Sequence, residues 1–387
     1  MSAPAFGDAQ QRQDAALAER DAWPERSPWI RTAVRDIPRS AFAPRRLWHW
    51  NGQAYLPLDR TKDVDRWAAE VYADPDAAAV TQLTGGLPTS SLSCTAVVVD
   101  MLDSLLLDTG HRVLELGTGT GWNAALLAHR AGNNQVVSVE TDPGLAASAQ
   151  RRLTGSGTAV QVVVGDGAVG FAPGAPYDRV ISTYAVDTIP FAWVEQLRPG
   201  GRLVTPWGHL GHVALTVAED GSSASGWMQG LAQFMPARTR LPAADTKDFS
   251  QVRGDKASGG ERPFLHPLET LEGDWGLRFH LRVAMPEMRI TTAQDQDGWN
   301  AWIHDGLHSW AVLAAQGDGK TITTQGGPRR LADLLDAAWE QWSALGSPPV
   351  YDYGMTVTNG GATQYVWAND PLTGPRWALG SAARQAV

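Results

Sequence analysis

The sequence is poor in cysteine, in long hydrophobic runs and in positive charge. Its single cysteine, Cys94, excludes a disulfide framework and a multi-cysteine metal site, and it favours a reducing, cytoplasmic location. No run of about 18 apolar residues occurs, and the N-terminus lacks the basic start and apolar core of a signal peptide, so we predict neither a membrane span nor secretion. The formal net charge of −9 provides no overall basic field that would attract nucleic acid.

The chain is nevertheless long enough and hydrophobic enough to form globular domains. Its 387 residues, 43% of them hydrophobic, predict two domains. From residue 111 onwards, short β-branched runs (RVLELG, QVVSVE, AVQVVVGD and YDRVISTYA) alternate with two helical segments, Trp122–Ala131 and Pro143–Leu153. This alternation is typical of an α/β fold with a doubly wound, mostly parallel sheet.

The remaining segments predict how the chain is divided. We expect an N-terminal tail over 1–24, a nucleotide-cofactor domain over 25–240, a polar, glycine-rich linker over 241–265 and a smaller α+β accessory domain over 266–387. A hairpin is predicted around Asn51-Gly52, and residues 89–91 are candidate caps of a buried helix that begins near Cys94. Five tryptophans of the accessory domain have near-helical spacings and are predicted to be mostly core: Trp299, Trp302, Trp310, Trp339 and Trp342.

A glycine-rich turn follows the first strand of the alternation. The glycines of Val113-Leu-Glu-Leu-Gly-Thr-Gly-Thr-Gly121 allow a tight turn and a close approach of the backbone to a ligand, at the N-terminus of the next helix. A dinucleotide site requires the spacing G-x-G-x-x-G, whereas Trp122 stands three residues after Gly119. The spacing G-x-G-x-G, preceded by the acidic Glu115, favours S-adenosylmethionine, whose methionine end is cationic.

Two further acidic residues stand at the ends of successive strands. Glu140 ends the second strand, where a carboxylate can accept hydrogen bonds from ribose hydroxyls, and Asp166 ends the third. One acidic residue at a strand end is commonly a cap or a solvated residue. Together with Glu115, however, Glu140 and Asp166 place three acidic residues on the ligand-binding edge of an open sheet, and this indicates a cofactor site.

The motifs between residues 28 and 240 resemble the protein-L-isoaspartate O-methyltransferases. The resemblance rests on DIPRSAFAP, TSSLSCTAVVVDML, RVLELGTGTGWNAALLA, VGDGAVGFAPGAPYDRVISTYAVDTIP and LRPGGRLVTPWG, and on their order. It implies that Ser91 and Ser93 belong to the substrate-side element and that Ser93 lies beside the carboxylate to be methylated. The predicted cofactor-binding residues are Glu115, Gly117, Thr118, Gly119, Gly121, Asn123, Glu140, Thr141, Asp166, Gly167 and Thr183.

The sequence departs from the family pattern in three places. Thr95 stands where the family usually has proline, and Thr183-Tyr184-Ala185-Val186-Asp187 replaces a stretch of small residues; both changes are expected to lie beside the substrate. The chain also continues for over a hundred residues past the methyltransferase segment. In that extension it resembles the methyltransferases encoded beside ribosomal peptide natural products, namely lanthipeptides, lasso peptides and graspetides.

That second resemblance implies O-methylation of an aspartate side chain in a cyclised precursor peptide, whose ester would close to an aspartimide and could open to isoaspartate. The alternative is repair methylation of isoaspartate in damaged proteins. A cofactor-binding scaffold is disfavoured because the acidic and glycine residues are intact, and DNA methylation because STYAVD lacks the Asn/Asp-Pro-Pro-Tyr/Phe cluster. His304 and His308 have a spacing that could bind zinc, but no third ligand is evident, so we predict no metal.

Overall fold

The computed structural model describes residues 3–208, 210–237, 247–255, 257–359 and 363–379. These residues form two compact units. The first consists of the described residues of 1–238 and 355–364 with Leu379, and the second of those of 239–354 and 365–378. The predicted accessory domain over 266–387 therefore needs correction, because residues 355–359 and 363–364 belong to the first unit. Such a return of the chain depends on long-range strand contacts, which no local sequence pattern reveals.

The first unit begins with helices and then alternates between strands and helices. Its helices are α1 (Ala3–Glu19), α2 (Trp29–Asp36), α3 (Arg39–Phe42), α4 (Val64–Val71), α5 (Thr95–Ser104), α6 (Trp122–Ala131), α7 (Pro143–Gly155) and α8 (Phe191–Glu195). Its strands are β1 (Arg46–Trp50), β2 (Tyr55–Asp59), β3 (Ala79–Thr84), β4 (Leu87–Leu92), β5 (Val113–Leu116), β6 (Val136–Glu140), β7 (Gln161–Val164), β8 (Tyr177–Ser182), β9 (Leu197–Trp207), β10 (Gly211–Val217) and β11 (Ser223–Leu231).

The rest of the described chain contains four helices and eight strands. The helices are α9 (Phe249–Arg253), α10 (Leu268–Gly273), α11 (Trp275–Ala284) and α12 (Leu331–Ala344). The strands are β12 (Arg262–Phe264), β13 (Arg289–Asp295), β14 (Gly298–His304), β15 (Trp310–Ala315), β16 (Thr321–Gly326), β17 (Tyr353–Thr358), β18 (Gln364–Ala368) and β19 (Arg376–Leu379).

The central sheet of the first unit is doubly wound, as predicted. Strands β9, β8, β5, β6 and β7 are parallel neighbours in that order, and β10 and β11 continue the sheet antiparallel beside β9. All four residues of β5 are buried, which explains its continuous apolar run. The order reverses at β5, since β6 lies on one side of it and β8 on the other. Crevices for ligands open at such a point, beyond the carboxyl ends of the strands.

A second, antiparallel sheet of the first unit has the order β2-β1-β3-β4. The predicted hairpin at Asn51-Gly52 is confirmed, because β1 pairs with β2 across that turn. Residues 89–91 are not helix caps: they lie in β4, and α5 begins after Cys94 without a side-chain cap. The consecutive hydroxyl residues of this stretch are compatible with either role, and pairing with β3 selects the strand.

The N-terminal segment, predicted as a tail, is an integral part of the first unit. Helix α1 buries Ala9, Gln13 and Leu17, which lie four residues apart and therefore on one face of the helix. The Phe6 ring packs edge-to-face on Trp67, with ring centroids 5.7 Å apart. The sequence signal was weak because alanine and glutamine contribute little apolar character to this buried face.

In the second unit, strands form one antiparallel sheet with the order β12-β16-β15-β14-β13. Helices α11 and α12 cover it, and their buried leucines and tryptophans share a core with Ile303 and Leu313. Three of the five tryptophans predicted at helical spacing lie on strands instead, namely Trp299, Trp302 and Trp310. The predicted linker over 241–265 contains α9 and β12 in its described part, and its residues 241–246 lie outside the described residues.

Among the described helices, none combines the length and apolar character that crossing a membrane requires.

Candidate cofactor and substrate site

The predicted site residues converge at the carboxyl ends of β5, β6, β7 and β8. The glycine turn leaves β5 with left-handed backbone at Gly117 (φ +96°), Gly119 (φ +54°) and Gly121 (φ +90°), conformations that L side chains rarely adopt. A Cβ at Gly117 would collide with Thr183 Oγ1. A Cβ at Gly121 would lie 3.3 Å from Ala149 Cβ, so this glycine allows α6 and α7 to pack closely. By contrast, a Cβ at Gly119 would meet no clash, because its nearest neighbours would be in ordinary van der Waals contact, Ser90 Oγ at 3.8 Å and Ser91 O at 3.9 Å.

Glu115 lies below this turn, fully buried in β5. Its carboxylate accepts hydrogen bonds from Asn123 Nδ2 at 2.8 Å and from the Ser138 hydroxyl, which also bonds Thr118 Oγ1 at 2.6 Å. The predicted residues Thr118 and Asn123 therefore support Glu115 with their side chains. Burial is the main cause that raises the pKa of Glu115 to about 7. The two hydrogen bonds act against this rise, and the nearby Glu140 contributes to it.

The raised pKa of Glu115 predicts a pH-dependent stability. The folded state holds the proton of Glu115 more tightly than the unfolded chain does. Protonation of Glu115 therefore stabilises the fold in full below about pH 4.5, and this stabilisation is lost as the pH rises to about 7. In wild type, the free energy of unfolding should decrease between these two pH values by at most about 1.4 kcal/mol per pH unit. For Glu115→Gln we expect this decrease to be absent. Urea titrations from pH 4.5 to 8 measure this, with the exposed Glu195→Gln as control. Parallel pH profiles of Glu115→Gln and wild type would contradict it.

Glu140 ends β6 beside the glycine turn and is 5% exposed. Its Oε2 accepts the Gly119 N–H at 2.9 Å and its Oε1 accepts the Asp142 N–H at 3.0 Å. Thr141 is exposed between them, and Asp142 caps α7 by accepting from Gly144 N and Leu145 N. Each carboxylate oxygen of Glu140 thus has one protein donor and a remaining lone pair, which is a suitable arrangement for a diol.

Asp166 and Gly167 form the edge of the site at β7. Asp166 is exposed and its Oδ1 accepts from Ala168 N at 2.9 Å. The carbonyl of Gly167 accepts from Trp193 Nε1 at 2.8 Å. Thr183 turns its hydroxyl towards the glycine turn and donates to Gly117 O at 2.5 Å. The segment 183–187 was expected beside the substrate. Its first residue, Thr183, therefore contacts a predicted cofactor residue directly.

Tyr184 is a further residue of this edge, which the sequence pattern did not indicate. Its ring lies against the backbone of both Gly117 and Gly167, where an added Cβ would contact it. It also packs edge-to-face on Trp193, with ring centroids 6.2 Å apart. The signal was present as a bulky residue in a stretch where the family has small ones, but the sequence alone did not place it among the cofactor residues.

A buried arginine, which no sequence pattern indicated, holds Ser93, one of the two serines predicted on the substrate side. Arg39 is 1% exposed, and it donates to Ser93 O at 2.6 Å, Thr95 Oγ1 at 2.8 Å and Val71 O at 3.1 Å. Thr95, which replaces the usual proline, donates in turn to Gln13 Oε1 at 3.0 Å. Within the part of the chain that the structure describes, no protein group bonds the Ser93 hydroxyl. The side chain nearest to a Cβ built on Gly119 is that of Ser90, whereas Ser91 turns its carbonyl to that position.

His304 and His308 do not share a helix face, because His304 ends β14 and His308 lies in the following turn. Among the described residues, no group of three His, Cys, Asp or Glu side chains is arranged to hold a metal ion.

Comparison with known proteins agrees with this geometry. Residues 18–237 match the family described as protein-L-isoaspartate(D-aspartate) O-methyltransferase. A protein-L-isoaspartate O-methyltransferase of Anaeromyxobacter dehalogenans is 40% identical over 49% of this chain and 90% of its own length. One of Pyrococcus horikoshii is 44% identical over 34% of this chain, and the match spans 62% of that relative. A solved protein-L-isoaspartate O-methyltransferase structure has a TM-score of 0.53 at 20% identity, covering 93% of this chain and all of that one.

The fold is that of the class I S-adenosylmethionine-dependent methyltransferases, with a mixed sheet and an additional C-terminal unit. The chain belongs to the protein-L-isoaspartate O-methyltransferase family.

Proposed function

We propose that this protein is an S-adenosylmethionine-dependent carboxyl O-methyltransferase that acts on L-isoaspartyl residues of proteins or peptides. The observation that carries the proposal is the approach of the serine strand β4 to the glycine turn, where a Cβ on Gly119 would be in van der Waals contact with Ser90 Oγ and Ser91 O. This brings the segment assigned to the substrate next to the segment assigned to the cofactor. The family match over residues 18–237 covers both segments and supports the same activity.

The residues present fit the cofactor. Gly119 has no side chain and a positive φ, so the turn can approach a ligand closely. Glu140 retains a lone pair on each oxygen for a ribose, and Asp166 follows the neighbouring strand β7. In our proposal the predicted set from Glu115 to Thr183 holds the cofactor, with the side chains of Thr118, Asn123 and Thr183 bracing the turn. When bound, S-adenosylmethionine supplies an electrophilic methyl group on a sulfonium.

The protein's part in the reaction is to orient the acceptor carboxylate and to exclude water. Such a carboxylate has a reference pKa near 4 and is ionised at neutral pH, so no general base is needed. The Ser93 hydroxyl can donate one hydrogen bond to a carboxylate oxygen, which orients it and leaves the other oxygen free to attack. Arg39 holds the Ser93 carbonyl and so positions this hydroxyl.

A second candidate substrate is an aspartate side chain of a cyclised, ribosomally made peptide. It is favoured by the second unit, which has a hydrophobic core of its own outside the residues that match the family. In this version, the second unit would recognise the modified precursor peptide, and the methyl ester would be attacked by the neighbouring backbone nitrogen to release methanol and form an aspartimide. No further protein group is required for that closure.

Mass spectrometry of parallel reactions tests both versions. The full chain is incubated with S-adenosylmethionine and either an isoaspartyl peptide, its aspartyl isomer, or the cyclised peptide encoded nearest the gene. A gain of one methyl on the isoaspartyl peptide and not on its isomer supports the first proposal. Methylation of the cyclised peptide alone, followed by net loss of water relative to the starting peptide, would replace it with the second. No methyl transfer to any peptide would overturn both.

Ser93→Ala separates orientation from binding. We expect kcat to fall about 10-fold, or about 1.4 kcal/mol, which is near the lower end of the range for a hydrogen bond to a charged group, with little change in the dissociation constant of S-adenosylmethionine. The matched control is Ser222→Ala, which removes an exposed serine hydroxyl from the turn after β10. Unchanged turnover of Ser93→Ala would remove this hydroxyl from the mechanism.

A further inference from the structure

Tyr184 stands in a place that neither the reaction nor the family pattern explains. It follows β8, and its ring reaches past the end of β5 at Gly117 to the end of β7 at Gly167. Its Cδ1 would lie 3.1 Å from a Cβ on Gly117, and its Cζ 3.2 Å from a Cβ on Gly167. The ring therefore spans the same strand ends that carry the predicted cofactor residues.

The Tyr184 side chain is held both through its backbone and through a contact of its ring. The Ser182 hydroxyl donates to Tyr184 O at 2.9 Å, and the next residue, Ala185, donates its N–H to Met235 O at 2.9 Å. Trp193 packs on the ring edge-to-face and is itself tied to Gly167 O. A side chain held in this way loses little further entropy when a ligand contacts it, so the ring can contribute to binding.

The phenol end lies on the acidic side of the site. Burial raises the pKa of the Tyr184 hydroxyl, and the carboxylates of Asp166 and Glu140 raise it further, so the hydroxyl is neutral at pH 7. These two carboxylates are the residues assigned to the adenosine part of the cofactor, whereas Glu115 is assigned to its methionine end. The phenol oxygen, which lies against Gly167, is thus beside the residues assigned to the adenosyl group.

We propose that Tyr184 is a cofactor-positioning residue whose ring, held by Trp193, forms an apolar wall of the adenosyl subsite. The inference rests on the cofactor of the family and not on which carboxylate is methylated. An apolar wall contacts groups that S-adenosylmethionine and S-adenosylhomocysteine have in common. A ring facing the sulfonium would instead favour the cationic S-adenosylmethionine through a cation–π interaction.

Isothermal titration calorimetry with both ligands, without any peptide, tests the assignment. For Tyr184→Ala we expect both dissociation constants to rise about 10-fold, with their ratio unchanged within about twofold. Tyr184→Phe keeps the ring and is expected to stay within about threefold of wild type. Tyr351→Ala, which removes an exposed tyrosine of the second unit, is the control. If Tyr184→Ala does not fold, Tyr184→Leu replaces it, with a loss of several-fold for both ligands.

Three outcomes would overturn the proposal. Unchanged binding would place the ring outside the site, tighter binding would mean that the ring occupies the cofactor's place, and a loss confined to S-adenosylmethionine would mean that it faces the sulfonium. Because no peptide is present, these outcomes are independent of whether the proposed substrate is correct.

Gly167 provides a second, geometric test of the same contact. A Cβ at this position would collide with the Tyr184 hydroxyl. We expect Gly167→Ala to weaken both ligands about 10-fold, and the double variant with Tyr184→Phe to recover part of the loss, since the colliding oxygen is gone. Strictly additive effects in this cycle would contradict the contact.

Discussion

Glu140→Gln is expected to weaken the binding of S-adenosylmethionine about 100-fold. The carboxylate of Glu140 accepts the N–H groups of Gly119 and Asp142 and retains one lone pair on each oxygen. A glutamine offers only one oxygen, and its amide nitrogen would face one of these two donors. A hydrogen bond to a charged group is worth about 1.5–3 kcal/mol, so the loss of the charge and of one bond to a ribose hydroxyl amounts to about 2.7 kcal/mol.

Calorimetric titration of the cofactor measures this loss directly. The matched control is Glu219→Gln, which removes an exposed carboxylate from the turn after β10 and leaves the site untouched. The Glu140→Gln variant should unfold at a somewhat lower temperature without ligand, because its amide faces a backbone N–H group, and should lose most of the stabilisation that added ligand provides. Wild-type affinity in Glu140→Gln would mean that the cofactor lies elsewhere on the sheet edge.

Arg39→Met is expected to lower the free energy of unfolding by about 3 kcal/mol and to slow turnover. The arginine is buried, and its three hydrogen bonds satisfy the carbonyls of Val71 and Ser93 and the hydroxyl of Thr95. Methionine fills much of the volume but leaves these groups without their donor, at about 1–3 kcal/mol for each buried group. The cost of burying the charge, which lowers the pKa of Arg39 to about 10, offsets part of that loss.

Urea denaturation at pH 7 and steady-state kinetics measure the two effects. Arg35→Met is the control, since Arg35 lies four residues earlier, in α2, and 71% of its side chain is exposed. Its ion pair with Asp36 is on the surface. An unfolding free energy equal to that of wild type would show that desolvation of the guanidinium cancels its hydrogen bonds. Full turnover in a folded Arg39→Met protein would show that Ser93 keeps its position without it.

The cofactor half of the site could be anticipated from sequence because it depends on local chain geometry. The spacing of Gly117, Gly119 and Gly121 gives a turn between β5 and α6, and all three have the positive φ that only glycine adopts freely. The acids Glu140 and Asp166 end neighbouring strands because a parallel sheet brings its carboxyl ends to one edge. Alternating apolar runs therefore predicted both the sheet and the edge on which its ligand residues stand.

Other features could not be anticipated, since they depend on residues far apart in the chain. Helix α1 shows only a faint apolar face, yet Gln13 of that helix meets Thr95 across more than eighty residues. The tryptophan spacings of the second unit suit a helix, but strand pairing of β14 with β15 places three of them on the sheet. A periodic pattern records which residues are apolar and does not record which distant segment covers them.

By itself, the sequence determined the type of sheet, the glycine turn and the acidic residues at the strand ends, because these follow from backbone conformation and hydrophobic period within a few tens of residues. Only the tertiary structure decided that residues 355–359 and 363–364 return to the first unit, that Arg39 holds Ser93, and that Tyr184 lies between Gly117 and Gly167. These contacts join segments that are distant along the chain, and packing in three dimensions selects them.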